Sequence, residues 1–281
     1  MPAASADSPL RLRVAPFVAG SGPATSLQAR SAGAVLADAL GIPTLAGPFL
    51  LAGAAYALAA LILALWLRPD PLLLARDLDR RQRTAPAEHG PAPAPVRTRG
   101  PGLMPGALTM ILTQLVMVAV MTMTPVHMHD HGHGTTASGL VIAIHVGAMY
   151  LPSPLTGRLV DHHGPTVIAA ASGLTLLAAG ITAAAAPADS VALLAFALAL
   201  LGIGWNFGLV SGTAMITDAV PLATRAKTQG MVDVSIALAG ATGGLASGVV
   251  VSTAGYPVLA LTGGVLAMAV LPVIAATAHG R

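Results

Sequence analysis

Cysteine is absent from the 281-residue sequence, and charged residues make up only 9% of it. Without cysteine the chain has no disulfide, no thiolate metal ligand and no cysteine nucleophile. Soluble domains carry about 25% charged residues, so this chain lacks the polar groups that a water-facing surface needs. The composition therefore favours a membrane protein over a soluble domain.

Lysine is almost absent as well, since Lys227 is the only one. The sequence contains no G-x-x-x-x-G-K-[ST] motif, the loop that holds nucleotide phosphates, so ATP-driven pumping by this chain is not expected. Lys227 lies outside the long apolar runs, which also argues against a retinal Schiff base and hence against a seven-helix light sensor. We predict that the chain is not an enzyme and needs no cofactor.

Long apolar runs dominate the remaining sequence, which is 55% hydrophobic with a mean hydropathy of +0.77. A helix needs about 20 apolar residues to cross a hydrocarbon core of about 30 Å. The runs are continuous, whereas strands of a membrane barrel alternate apolar and polar residues. We therefore predict an all-α membrane protein with about seven transmembrane helices, at residues 45–67, 103–125, 139–157, 166–186, 191–215, 230–251 and 257–278.

The basic residues predict how the chain is oriented in the membrane. All eleven Arg and Lys residues after residue 30 fall in alternate connections, and the intervening connections 126–138, 187–190 and 252–256 contain none. Because basic residues favour the cytoplasmic side, the loop 68–102 and the C-terminus are predicted to be cytoplasmic in a multi-pass plasma-membrane protein. The net charge of +3 then reflects topology and does not indicate nucleic acid as a partner.

The predicted organisation has four parts. Residues 1–44 are an irregular segment that ends in a short apolar remnant of a span at 31–42, and residues 45–67 form a single span. Residues 68–102 are rich in Pro and Arg, a composition typical of linkers. Residues 103–281 form a six-span half.

One connection contains the spacing G-x-L-x-D-x-x-G, formed by Gly157, Leu159, Asp161 and Gly164. We predict a tight cytoplasmic turn in which glycine permits close helix contact and the carboxylate lies near a neighbouring helix N-terminus. An ordinary helix-connecting turn is the alternative. The motif resembles the loop signature of the major facilitator superfamily, although two histidines and a proline replace the usual basic residues.

The resemblance implies a fold and a function. Members of this superfamily contain two six-span halves joined by a long cytoplasmic loop, and each half contains inverted three-span repeats. The chain looks like the sixth to twelfth spans of such a protein, truncated at the N-terminus. The implied function is secondary transport of a small organic solute by alternating access, with drug efflux as one expected role and protons as the expected coupling ion.

An incomplete transporter leaves an alternative open, namely a membrane remnant that inserts without transporting. On this hypothesis the chain transports only with a matching N-terminal half or after self-association. Its expected partners are the lipid bilayer and a small-molecule substrate.

Polar residues inside the spans are the candidates for a solute cavity or for ion coupling, because such residues are costly in lipid unless they face a cavity or a partner. They are Gln114, His145, Trp205, Asn206 and Asp233. A hydrogen bond to a neighbouring helix is the alternative role for the first four. For Asp233 the alternative is a cap near the start of the sixth predicted span, where a helix N-terminus favours a negative charge.

A histidine cluster follows the second span and contains His127, His129, His131 and His133. Imidazoles at this density are able to ligate zinc, copper or nickel. However, nothing in the sequence determines their geometry, so we predict weak metal binding at most. A pH-sensitive polar loop and a metal-transporting protein are the alternatives.

Overall fold

The computed structural model describes residues 36, 39–41, 47–66, 74, 77, 102–187 and 189–278. All regular structure in this part of the chain is helical, which confirms the predicted fold class. The helices are α1 (Gly47–Trp66), α2 (Leu103–Asp130), α3 (Thr135–Tyr150), α4 (Ser153–His163), α5 (Pro165–Ala185), α6 (Val191–Ala219), α7 (Leu222–Ala254), α8 (Tyr256–Ala267) and α9 (Val270–Ala278).

The chain divides into two compact units, Ser21–Thr98 and a second unit formed by Met1–Gly20 with Arg99–Arg281. The first unit contains α1, a 20-residue helix of alanine, leucine and other apolar residues whose side chains are mostly exposed. Its strongly apolar stretch is Ala52–Leu65. The predicted segment 1–44 and the predicted linker 68–102 lie outside the described residues, apart from isolated positions.

The second unit contains α2 to α9, which provide six segments long and apolar enough to cross a membrane. Two of these segments consist of consecutive helices, because α3 continues into α4 and α8 continues into α9. Together with the shorter apolar helix α1, they account for the predicted number of about seven spans. The six segments are Leu103–Asp130, Thr135–His163, Pro165–Ala185, Val191–Ala219, Thr224–Ala254 and Tyr256–Ala275.

Proline explains both interruptions. Pro152 and Pro154 lack the backbone N–H that would continue the hydrogen bonding of α3, and this helix ends at Tyr150. In the other interrupted span, Pro272 cannot donate to the carbonyl of Met268, which accepts instead from Leu271 N–H at 3.0 Å. The sequence predicted one continuous helix for each of these spans.

Helix α6 lies at the centre of the bundle and packs against α2, α3, α4 and α5. Its glycines allow this close approach. A Cβ atom on Gly202 would come within 2.6 Å of the carbonyl oxygen of His145 in α3, and one on Gly208 would come within 2.5 Å of the Thr113 side chain in α2. Among the six described spans, α6 therefore has the largest share of its apolar window buried, at 61%.

Candidate functional site

Gln114 and Trp205, two of the predicted cavity residues, contact each other directly. The indole Nε1–H of Trp205 in α6 donates to the Oε1 atom of Gln114 in α2 at 2.7 Å. Trp205 is only 2% exposed, and the ring of Tyr150 lies edge-on to its indole with a centroid separation of 5.8 Å. Helix α7 also approaches, because a Cβ atom on Gly240 would lie 3.2 Å from the Nε2 atom of Gln114.

The side chain of Asn206 in α6 forms hydrogen bonds to residues on both sides of the break between α3 and α4. Its Nδ2 amide donates to the Met149 carbonyl and to the Ser153 hydroxyl, both at 2.8 Å, and its Oδ1 accepts a short hydrogen bond from Thr156. The carbonyl of Met149 lies in the last turn of α3, where the N–H donors of a following turn are missing. Asn206 therefore supplies a donor that the interrupted backbone lacks, as neighbouring helices do at proline breaks in membranes.

His145 joins the same two helices one turn earlier. Its Nδ1–H donates to the Leu198 carbonyl in α6 at 2.8 Å, because a carbonyl can only accept. The side chain is fully buried, and its Nε2 atom has no hydrogen-bond partner among the described residues. A buried polar atom without a partner is uncommon in proteins and calls for an explanation.

Asp233 lies on the exposed side of α7. Helix α7 begins at Leu222 and has no acidic residue in its first turn, so the explanation of Asp233 as an N-terminal cap is wrong. The helix starts earlier than the apolar run because polar residues from Thr224 to Gln229 extend it beyond the predicted span. Within the described spans, Asp233 is the charged residue farthest from a helix end.

The G-x-L-x-D-x-x-G motif is also positioned differently from the prediction. Gly157, Leu159 and Asp161 belong to the helix α4, and the turn itself is confined to Gly164, with φ 84° and ψ 153°. That backbone conformation is essentially restricted to glycine. No atom lies within 4 Å of a Cβ placed on Gly164, so the conformation, and not the available space, requires glycine there.

The histidine cluster begins inside a helix and not in a loop. Helix α2 continues to Asp130, so that His127 and His129 lie in its last turn and His131 follows its end. The described residues contain no group of three or more His, Cys, Asp or Glu side chains placed to hold a metal ion. The four histidines therefore do not converge on one centre.

Three residues that contact Trp205 or Asn206 were not predicted from the sequence, namely Tyr150, Ser153 and Thr156. All three lie within two residues of Pro152 or Pro154, and prolines inside an apolar run were the available signal.

From the sequence, Arg225 was used only to predict the orientation of the chain in the membrane. Its guanidinium also donates to the Thr217 carbonyl at 2.8 Å and to the Val220 carbonyl at 3.2 Å, and so caps the end of α6.

A bundle of long apolar helices that holds amide, indole and imidazole groups in its interior is the architecture of a polytopic membrane protein. The sequence pattern of the Major Facilitator Superfamily matches residues 11–168 and residues 106–279. The chain belongs to this superfamily, and the resemblance found in the loop motif is confirmed.

Three relatives illustrate the similarity. The uncharacterized MFS-type transporter YdeG of Bacillus subtilis (strain 168) is 48% identical over 307 residues, which include 97% of this chain and 71% of that protein. The uncharacterized MFS-type transporter YddS of the same strain is 46% identical over 239 residues, covering 85% of this chain and 55% of that protein.

The riboflavin transporter RfnT of Brucella anthropi is 44% identical over 96 residues, covering 34% of this chain and 24% of that protein. No solved structure matches the chain. All three names describe transporters, and one of them also names a solute.

Proposed function

We propose that the chain carries out secondary transport of a small, weakly polar organic solute by alternating access. Membership of the superfamily supports the transport mechanism. The weak polarity of the solute is supported by the scarcity of charge along the described spans, where Asp233 is the charged residue farthest from a helix end and its side chain is exposed. A highly charged solute would require basic or acidic partners at that depth.

The pair of Gln114 and Trp205 is the observation that supports a solute site most directly. Trp205 engages the oxygen of the Gln114 amide, so the Nε2 amide is the half of the group that remains to donate to a solute. Gln114 is half-buried at the junction of α2, α6 and α7. An amide donor beside two aromatic rings suits a planar, uncharged solute with acceptor atoms on its edge.

Riboflavin belongs to this chemical class, and one relative is named a riboflavin transporter. We therefore propose a heteroaromatic solute and choose riboflavin as the first probe. A planar drug would use the same amide donor and aromatic rings. Comparing uptake with release in the proteoliposome assay below gives the direction of transport.

The test is uptake and release of riboflavin in proteoliposomes that contain the full chain under an imposed proton gradient. We expect Gln114→Leu to lower the rate at least about fivefold, since a lost hydrogen bond in a dry site costs about 1–3 kcal/mol. Thr122→Val is the matched control on α2, because the Thr122 hydroxyl bonds only to the Val118 carbonyl of its own helix.

Binding is measured separately through Trp205. Substituting Trp66→Phe leaves Trp205 as the single tryptophan, so a solute beside it should quench the remaining emission in a saturable manner. Quenching that is unchanged by Gln114→Leu would contradict the assigned site. Binding without transport would retain the site but reject transport by this chain alone.

For coupling and gating we propose roles for four residues. His145 has an unpaired buried nitrogen and Asp233 is a carboxylate on an apolar span, so these are the groups that we assign to proton coupling. The helical end of α4 with Asp161 and the Gly164 turn is assigned to gating. On this assignment Asp161→Asn lowers the transport rate more than the expression level, and equal losses would mean a purely structural role.

We also propose that the protein lies in the plasma membrane with the loop 68–102 and the C-terminus on the cytoplasmic side. The asymmetry of basic residues supports this orientation, as does the even number of crossings between residues 103 and 278. Reporter fusions at Arg83 and Arg281 should both give cytoplasmic signals. A periplasmic signal from either one would reverse the assignment.

A further inference from the structure

Two imidazoles lie side by side at the C-terminal end of α2. His127 and His131 are four residues apart, a spacing that places side chains on the same face of a helix. Their ring centroids are 4.4 Å apart with an interplanar angle of 56°. Neither residue has a role in the proposed solute site.

Each ring is held by a separate contact. The Nδ1–H of His131 donates to the His127 carbonyl at 2.7 Å, which leaves the Nε2 lone pair of the neutral imidazole to bind a metal. Histidines that bind metals usually donate their other nitrogen to a carbonyl or carboxylate in this way. The His127 ring stacks on Tyr256 at 4.4 Å and 13°, and the Tyr256 hydroxyl hydrogen-bonds to Thr124 at 2.9 Å.

The ring separation indicates which metal geometry fits. With metal–nitrogen bonds of about 2.0–2.1 Å, each ring centroid would lie about 3.2 Å from the ion. When a nitrogen of each ring faces the ion, centroids 4.4 Å apart subtend close to the right angle between neighbouring positions of a square-planar or tetragonal ion. A tetrahedral ion such as zinc would need a centroid separation of about 5.2 Å.

The other two histidines of the cluster are placed differently. His129 is two residues from His127, and side chains with that spacing do not face each other on a helix. His133 follows Gly132, whose φ is 80°, at a point where the chain has already left α2. A site at this end of the helix therefore has two protein ligands.

We propose that His127 and His131 bind a divalent ion of the copper(II) and nickel(II) class through two imidazole nitrogens, with water in the remaining positions. Because His127 stacks on Tyr256 at the start of α8, a bound ion would fix the end of α2 against α8. The proposal does not depend on the identity of the transported solute.

The test uses the full chain in detergent, purified with an affinity tag that contains no histidine. Copper(II) is titrated against a competing chelator, and electron paramagnetic resonance is recorded at one equivalent. We expect a tetragonal spectrum with coupling to two nitrogens. His127→Gln and His131→Gln should each weaken binding at least about tenfold, whereas His129→Gln should leave it unchanged.

Two further comparisons separate this site from adventitious copper. Tyr256→Phe preserves the ring that stacks on His127 and should retain binding better than Tyr256→Leu. A paired substitution of His162 and His163, whose rings are also adjacent in α4, should have no effect. Binding that survives the loss of both His127 and His131, or that is lost with His129 or with the α4 pair, would overturn the proposal. Gel filtration of each variant verifies that it remains folded.

Discussion

Helices α6 and α7 are similar in length, with 29 and 33 residues, but they differ in their surroundings. The apolar window of α6 is 61% buried, whereas that of α7 is 28% buried. Both helices are rich in glycine. In α6 all four glycines contact neighbouring helices. In α7 the three central glycines approach α2, whereas Gly230 and Gly248 have no atom within 4 Å of a Cβ position.

The exposed side of α7 is mostly apolar, although it also includes Asp233 and Thr242. Its apolar members follow one another at helical spacing and are 61–79% exposed: Met231, Val234, Leu238, Leu245 and Val249. Small residues alone therefore do not identify a helix in the interior of the bundle. What distinguishes α6 is that its glycines alternate with side chains that bond to other helices, whereas the α7 face is available to lipid or to another helix.

The largest difference should appear when a β-branched residue replaces glycine in each helix. Gly202→Val would push a side chain against the α3 backbone at His145 and Met149, and overpacking of this kind costs about 1–3 kcal/mol or more. We expect most of the folded protein to be lost on fluorescence-detected gel filtration. Gly248→Val is the matched control in α7 and should give a nearly normal yield, so equal losses would refute the comparison.

A smaller effect is expected from the polar side chain that holds the α3–α4 interruption. Asn206→Leu keeps the volume but removes three hydrogen bonds, two to α4 residues and one to the Met149 carbonyl. At about 0.6 kcal/mol for each interhelical bond, the free energy of unfolding should fall by about 2 kcal/mol. Denaturation in mixed detergent micelles measures this loss.

The control is Thr242→Val in α7, because the Thr242 hydroxyl bonds to the Leu238 carbonyl of its own helix. That substitution should change the unfolding free energy by less than about 0.5 kcal/mol. If both variants lost the same stability, Asn206 would not have the bridging role described above.

The spans themselves could be predicted from the sequence because about 20 continuous apolar residues suffice to identify them. The interruption at Pro152 was missed because hydropathy identifies a span but not a break in its helix, although Pro152 and Pro154 were the signal for it. The ends of α2 and α7 were also misplaced, because helices continue through polar residues beyond the apolar core. As a result His127 lies in the last turn of α2 and not in a loop, and Asp233 lies well inside α7.

The sequence selected candidate residues for a site but did not predict their contacts. Gln114 and Trp205 were selected because polar groups are costly inside spans. Their hydrogen bond joins residues 91 positions apart, and such pairing depends on how the helices pack. For the same reason the partners of Asn206, including Thr156, were not anticipated.

A third, smaller effect on the unfolding free energy is expected at the junction between α6 and α7. Arg225 at the start of α7 donates to carbonyls at the end of α6, where a positive charge is favoured by the helix dipole. Arg225→Gln should lower the free energy of unfolding by about 1 kcal/mol. Lys227→Gln, at an exposed position two residues on, should have a smaller effect, and the reverse order would show that the contact with α6 carries no stability.

The smallest effect on stability is expected from Asp233→Asn. Asp233 is exposed and lies beyond the first turn of α7, so its charge receives little stabilisation from the helix N-terminus. The loss of this charge should therefore change the unfolding free energy by less than about 0.5 kcal/mol.

A charge on an apolar span is costly unless it has a function. On the coupling proposal, transport by Asp233→Asn should therefore lose its dependence on the proton gradient while the expression level stays normal. Asp218→Asn, in the last turn of α6, is the control and should leave that dependence intact. A loss of stability as large as that of Asn206→Leu would instead make Asp233 a structural residue, and unchanged gradient dependence would remove it from the coupling mechanism.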